Sequence, residues 1–178
     1  MSHLQRDTAP LGRQFFARAA VEVARDCLGK VLLHGAAAGR IVEVEAYLGV
    51  NDPAAHASHG ITNRTRVLFG PPGHAYVYLI YGMYHCLNFV AEKEGSAGCV
   101  LVRAIQPLVG LPEARPLNGP GKLTMALGIT RQLNGSDLVS GPLTLRKLLN
   151  EEPFKVEVTS RIGIRRAVDA PLRFVVKR

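Results

Sequence analysis

Two short runs rich in aliphatic and aromatic residues, Ala75 to Tyr81 and Tyr84 to Val90, abut across Gly82. Two strand-like runs broken by a single glycine read as a hairpin-like pair. Four of the chain's five tyrosines fall in this segment, at Tyr76, Tyr78, Tyr81 and Tyr84. Period two puts Tyr76 and Tyr78 on one face, whereas Tyr81, beside Gly82, sits at the turn where a ring can project. Such rings ordinarily pack in a core or shield it. In a chain without tryptophan and with a formal charge of +8 they also suit stacking on planar bases while lysines and arginines hold phosphates.

The remaining elements alternate and do not repeat. Ala19 to Leu28 reads as a short helix stopped by Gly29, followed by the strand Val31-Leu32-Leu33. Arg40 to Leu48 has strand periodicity, with Glu43, Glu45 and Tyr47 on one face and Val42, Val44 and Ala46 on the other. Asn51 is the expected cap of a short helix through His56, and Ile61 to Gly73 has the character of a surface loop. Cys99 to Ile105 reads as a strand ending before Pro107. Gly121 to Leu127 and Leu143 to Asn150 read as short helices, and the tail from Lys155 holds two short strands, the second at Leu172 to Val176. This order implies an α+β fold, with a curved, mainly antiparallel sheet and surrounding short helices. At 178 residues, 47% of them hydrophobic, the chain suits a single domain over 1–178, with residues 1–14 expected to be flexible.

Composition narrows the function. Three irregularly spaced cysteines, Cys27, Cys86 and Cys99, suit buried thiols in a reducing compartment better than a disulfide framework. No long apolar run spans a bilayer and residues 1–15 lack an apolar centre, so the expectation is a soluble intracellular protein without a membrane partner, cytoplasmic or nucleoid-associated in a bacterium. Positive charge recurs along the chain and thickens at Arg161, Arg165, Arg166, Arg173, Lys177 and Arg178, a pattern that steers a polyanion to the surface.

Glu45 shares its face with Tyr47, and a turn can bring His56 back over it. A carboxylate against a phenol and an imidazole can hold and deprotonate a water, as hydrolysis of a sugar–base bond requires. The alternative is a surface or structural salt bridge. His56, His59, His74, His85 and Cys86 match no compact zinc pattern, so no metal and no cofactor are expected. Lys122, in Gly119-Pro-Gly-Lys122, is open to a nucleophilic amine, a phosphate contact or solvation.

Arg40-Ile-Val-Glu-Val-Glu45-Ala-Tyr47-Leu-Gly49, Asp52-Pro-Ala-Ala-His56 and the stretch from Gly70-Pro-Pro-Gly through Tyr76-Val-Tyr78-Leu-Ile-Tyr81 to Asn88 together resemble the alkyladenine, or 3-methyladenine, DNA glycosylase family. Cys99-Val-Leu101-Val-Arg103, Gly119-Pro-Gly-Lys122-Leu, Arg161-Ile-Gly and Pro171-Leu-Arg173-Phe extend the resemblance to nearly the whole chain from Phe15. It implies a monofunctional enzyme that flips alkylated or deaminated purines from double-stranded DNA and leaves an abasic site. Glu45 resembles the base that activates water, and Arg103 the arginine beside that water and the nucleotide's phosphate. Tyr47 and Tyr78 resemble the stacking walls, His56 a hydrogen-bonding group near the base edge and sugar, Asn88 the pocket residue that helps reject normal guanine through its exocyclic amine, Leu101 an apolar wall, and Tyr81 the residue that intercalates in the minor groove. No metal, cofactor or covalent lysine step is implied, and a monomer accounts for every role. Arg64, Arg66, Lys122 and Arg131 are candidates for the DNA backbone.

His85 and the loop from His59 to Arg66 depart from better-known relatives. Two other classes stay open on residues alone. A noncatalytic nucleic-acid-binding domain leaves Glu45, Arg103 and Asn88 without a shared role; a hydrolase of free nucleosides has little use for Tyr81 or a basic surface.

Overall fold

The computed structural model describes residues 8–111 and 117–177. Among them are nine strands joined in one sheet: β1 (Thr8–Pro10), β2 (Val31–His34), β3 (Ala37–Tyr47), β4 (Ala75–Ile80), β5 (Tyr84–Ala91), β6 (Gly98–Val109), β7 (Leu143–Leu148), β8 (Lys155–Thr159) and β9 (Arg173–Lys177). All pairings are antiparallel. The order β1-β7-β2-β3-β6-β5-β4 forms the main path, and β9 joins it at β3 with β8 outside. Short helices at Arg13–Phe16, Ala20–Cys27 and Pro120–Ala126 pack around the sheet, giving the α+β architecture expected from the sequence.

The long strand β3 positions everything else. Its first half pairs with β2 and its last residues, Glu43 to Glu45, pair with β9 on the same edge, while β6 follows the other edge from Ala38 to Tyr47. Register shifts on both sides of Glu43 mark a bulge, which breaks the simple alternation read from the sequence: Ile41 and Val44 are both core residues and Val42 is only half-buried. Beyond the bulge the alternation holds. Val44 and Ala46, with Val100 and Val102 of β6, Leu87 and Phe89 of β5 and Ala75 and Val77 of β4, face the main core under the helix Ala20–Cys27. The opposite face of the same strands carries the polar residues.

Four expectations change. Leu143–Leu148 is a strand, because Leu143 and Leu145 alternate into the core and the segment pairs with both β1 and β2, satisfying a ladder on each side. β6 continues through Pro107 to Val109; the proline lies opposite Gly39 next to a register shift, where the ladder tolerates a missing N–H. Asn51 does not cap a helix but ends a 3-10 turn, Gly49–Asn51, and a second 3-10 turn follows at His56–His59. The lead expected to be flexible to residue 14 is structured from Thr8, since β1 pairs with β7 and Arg13 bonds Asp137; residues 1–7 lie outside the described residues.

Candidate active site

Strand register assembles the polar face. Tyr76 of β4 lies opposite Asn88 of β5, Asn88 opposite Leu101 of β6, Leu101 opposite Glu45 of β3, and Glu45 opposite Arg173 of β9. In-register neighbours point to one side, so five strands project one continuous row. Tyr47 lies opposite Cys99 and Tyr78 opposite Cys86 on the flanking rows. Over this face lies a cavity of about 440 Å³, whose walls include Tyr47, His56, Tyr78, Asn88, Leu101 and Arg103. Loop residues Leu68 and Ala57 pack on one flank with Tyr76 and Cys99, and Ile162 to Ile164 close the other.

Glu45 is fully buried behind the cavity lining, held by the lining residues Tyr47, Arg103 and Ile162. Its Oε1 accepts from the Ile162 N–H at 2.7 Å and pairs with Arg103 Nη1 at 3.3 Å, while Oε2 accepts from the Tyr47 hydroxyl at 2.9 Å. A carboxylate oxygen accepts about two hydrogen bonds, so Oε2 retains a lone pair after the Tyr47 bond. Burial, then the neighbouring carboxylate of Glu45, push the Tyr47 phenol far above its ordinary range, so it stays protonated and donates.

His56 bonds the Tyr76 hydroxyl through Nδ1 at 3.0 Å and meets the Tyr78 ring edge-on at 4.7 Å. Burial, with the charges of Arg64 and His59 added, lowers its pKa to about 4, so the imidazole is neutral near pH 7. Asn88 is buried; its Nδ2 donates to the Tyr76 carbonyl at 3.2 Å, which fixes the amide at the cavity wall. Burial likewise raises the Tyr78 phenol, and Cys99 is pushed up to about 12, which makes that thiol a poor nucleophile.

Tyr81 also contributes to the cavity lining. It forms the β4–β5 turn with Gly82, is 84% exposed, and has φ of 53° followed by 70° at Gly82. The Met83 N–H bonds the Ile80 carbonyl at 3.2 Å, closing a turn with two left-handed residues of the kind that suits a hairpin. A left-handed tyrosine is uncommon, and such strain gathers where a side chain is needed in one direction.

The four candidates for the DNA backbone do not share one setting. Arg64 is an exposed residue that lines the cavity, with its guanidinium 4.9 Å from the centre of the Tyr78 ring. Arg66 donates to Asn63 and Lys122 to Asn118, both at 3.3 Å on the surface, and Arg131 is exposed in a 3-10 turn.

Several site residues escaped the sequence reading. Arg161 is buried against Asp52, with Nη2 3.0 Å from Oδ1, donates to the Ala46 carbonyl at 3.1 Å, and lies 4.6 Å from the centre of the Tyr47 ring. Asp52 also accepts from the Leu48 and Ala54 N–H groups, at 3.1 and 3.0 Å; burial opposes its charge, but Arg161 and these bonds hold the carboxyl below its ordinary range. Asp-Pro after a strand signals such a side-chain-capped turn, yet nothing local names the arginine. Glu43 was set beside Glu45 as a second acid, without a partner; it bonds Arg103 and Arg173. Among the described residues, no three His, Cys, Asp or Glu side chains converge as a metal-binding group, and no helix is long and apolar enough to cross a membrane.

Residues 14–178 match the family model described as methylpurine-DNA glycosylase. A protein from Methanoculleus marisnigri that carries the provisional name 3-methyladenine DNA glycosylase is 52% identical over 179 residues, covering 92% of this chain and 93% of its own. Similarly named proteins from Methanocella arvoryzae and Legionella pneumophila are 49% and 46% identical, covering 92% and 94% of this chain and 88% and 94% of theirs.

Proposed function

The chain belongs to the methylpurine-DNA glycosylase family, and from that premise we propose how it carries out the family's excision of alkylated purines from DNA, a step of base excision repair. A monomer binds double-stranded DNA, inserts Tyr81 into the stack, and turns the damaged or deaminated purine out between Tyr47 and Tyr78. Stacking of about 1–3 kcal/mol per base is comparable to the cost of extrusion, so two rings and a wedge suffice to hold the flipped state. Asn88 and neutral His56 read the base edge, and Leu101 supports it.

Hydrolysis then falls to Glu45. Its free lone pair on Oε2 takes the proton of a water that attacks C1′, the glycosidic bond breaks, and the electron pair leaves with the purine. The negative carboxylate stabilises positive charge developing on the sugar. An alkylated purine is already a good leaving group, which fits a site whose histidine is neutral and whose phenols stay protonated. Arg103 offers its remaining donors to the phosphate of the extruded nucleotide. The products are a free base and an abasic site in an intact strand.

The observation that carries this reading is a fully buried carboxylate, bonded by Tyr47, Arg103 and the Ile162 N–H, beneath a cavity walled by tyrosines. The test is single-turnover release from a duplex bearing one 3-methyladenine, 7-methylguanine or hypoxanthine, with native protein and Glu45→Gln. Release by the native chain, with chemistry reduced at least about 10²-fold in a variant that still binds DNA, is expected. Equal release by both proteins would sink Glu45 as the base.

A further inference from the structure

The polar chain that reaches Glu45 extends beyond Arg103. Arg103 Nε donates to Glu43 Oε1 at 2.9 Å, and the same oxygen accepts from Arg173 Nε at 2.7 Å. The side chains of Arg103, Glu43 and Arg173 are 14%, 15% and 22% exposed, so these pairs are shielded far better than surface pairs such as Arg18–Asp26 at 35% and 53%. The sequence Arg173–Glu43–Arg103–Glu45–Tyr47 alternates charge across β9, β3 and β6 and ends on a hydroxyl donor.

Arg103 has a fork of donors and two carboxylates within reach. Deprived of Glu43, its fork is free to turn onto Glu45 and engage both oxygens, the preferred geometry of an arginine–carboxylate pair. That would occupy the lone pair on Oε2 that a water needs. With Nε held by Glu43 at 2.9 Å, the nearest Arg103 nitrogen to Glu45 is Nη1, at 3.3 Å the longer of the two contacts. The bulge around Glu43 is what permits this: it puts Glu43 opposite Ala104 and brings its carboxylate to Arg103 and Arg173 together.

We propose that Glu43 is a positioning residue for the glycosylase reaction, holding Arg103 to a single contact with Glu45 so that the base remains open to water and the guanidinium remains open to phosphate. This rests on the reading of Glu45 and Arg103 given above.

The test is a double-mutant cycle on Glu43→Gln and Arg103→Gln in the full chain, read as the single-turnover release rate, the DNA dissociation constant and Tm. Glu43→Gln should slow release about 30-fold with DNA binding changed less than about threefold, because the loss lies in the chemical step. Placed on Arg103→Gln, it should slow release by no more than about twofold further, since Glu43 acts through that arginine. Glu43→Asp, which keeps the charge that engages Arg103, should recover most of the rate, as a role through Arg103 requires and a merely loosened fold does not. An unchanged rate in Glu43→Gln, additive losses in the cycle, or a loss shared by rate, binding and Tm without recovery by Asp would each overturn the proposal. The native chain and Glu45→Gln measured alongside separate this failure from that of the functional reading, which falls if native protein releases no base or Glu45→Gln releases it as fast.

Discussion

A buried guanidinium is costly unless its charge and its donors are met; the two Nη groups of Arg161 engage Asp52 and the Ala46 carbonyl over the Tyr47 ring, while its buried Nε has no hydrogen-bond partner among the described residues. Truncating the side chain strands the Asp52 carboxylate in the interior. Arg161→Ala should lower stability by about 3–5 kcal/mol in urea unfolding, and Arg161→Lys should recover only part of that, because a single ammonium cannot reproduce the two-pronged pair. His56 gives a pH signature at the same scale. Its pKa falls from 6.5 in the open chain to about 4 in the fold, so between those values the unfolded state binds the proton and the folded state does not. Stability therefore holds above about pH 6.5 and declines as pH falls toward about 4. His56→Gln should flatten that decline, measured as the change in Tm between about pH 7 and about pH 5.

At the scale of elements, the β4–β5 turn sets local comfort against projection of a ring. Tyr81 occupies a left-handed position that asparagine or glycine adopts with less strain, and its side chain is almost wholly in solvent. Tyr81→Asn should therefore raise stability by about 0.5–1 kcal/mol while slowing base release and weakening discrimination between damaged and intact duplex. Thermal unfolding and single-turnover release on the same protein separate the two effects; a variant that loses both would place Tyr81 in the fold, not at the DNA. The helix Pro120–Ala126 is tied to β5 by Thr124 Oγ1 donating to the His85 carbonyl at 2.9 Å, and Gly121 lies so near Tyr84 that an added Cβ would fall 2.9 Å from that side chain. His85 thus contributes a backbone carbonyl to the support behind the tyrosine turn.

For the whole molecule, a formal charge of +8 gives DNA binding a large electrostatic part. Arg165 and Arg166 are exposed immediately after Ile162 to Ile164, which wall the cavity, so the basic tail borders the cavity. Replacing both by glutamine should weaken binding of damaged and intact duplex alike and reduce the slope of log K against log salt by about 1–2. A changed lesion preference with an unchanged slope would count against a phosphate role. Arg64 differs in kind, because its guanidinium lies over the Tyr78 ring and lines the cavity.

Much of this architecture was legible from residue order, and the exceptions have a common cause. Strand alternation depends on near neighbours, so the hairpin around Gly82, the shared face of Glu45 and Tyr47 and the exposure of Tyr81 follow from the sequence by itself, whereas the bulge at Glu43 does not. The same local evidence misread Leu143–Leu148 as helix, because a short apolar run acquires strand geometry only when β1 and β2 supply its hydrogen bonds. Motif resemblance named Glu45 and Arg103 but could not supply their partners. Asp52 meets Arg161 across 109 residues and Glu43 meets Arg173 across 130, and one carboxylate among fourteen acids carries no mark of which of twenty-two cations will neutralise it. The sequence determined which side chains share a face; the tertiary structure decided which charges share a site, since that depends on how the bulged β3 divides its edge between β2 and β9.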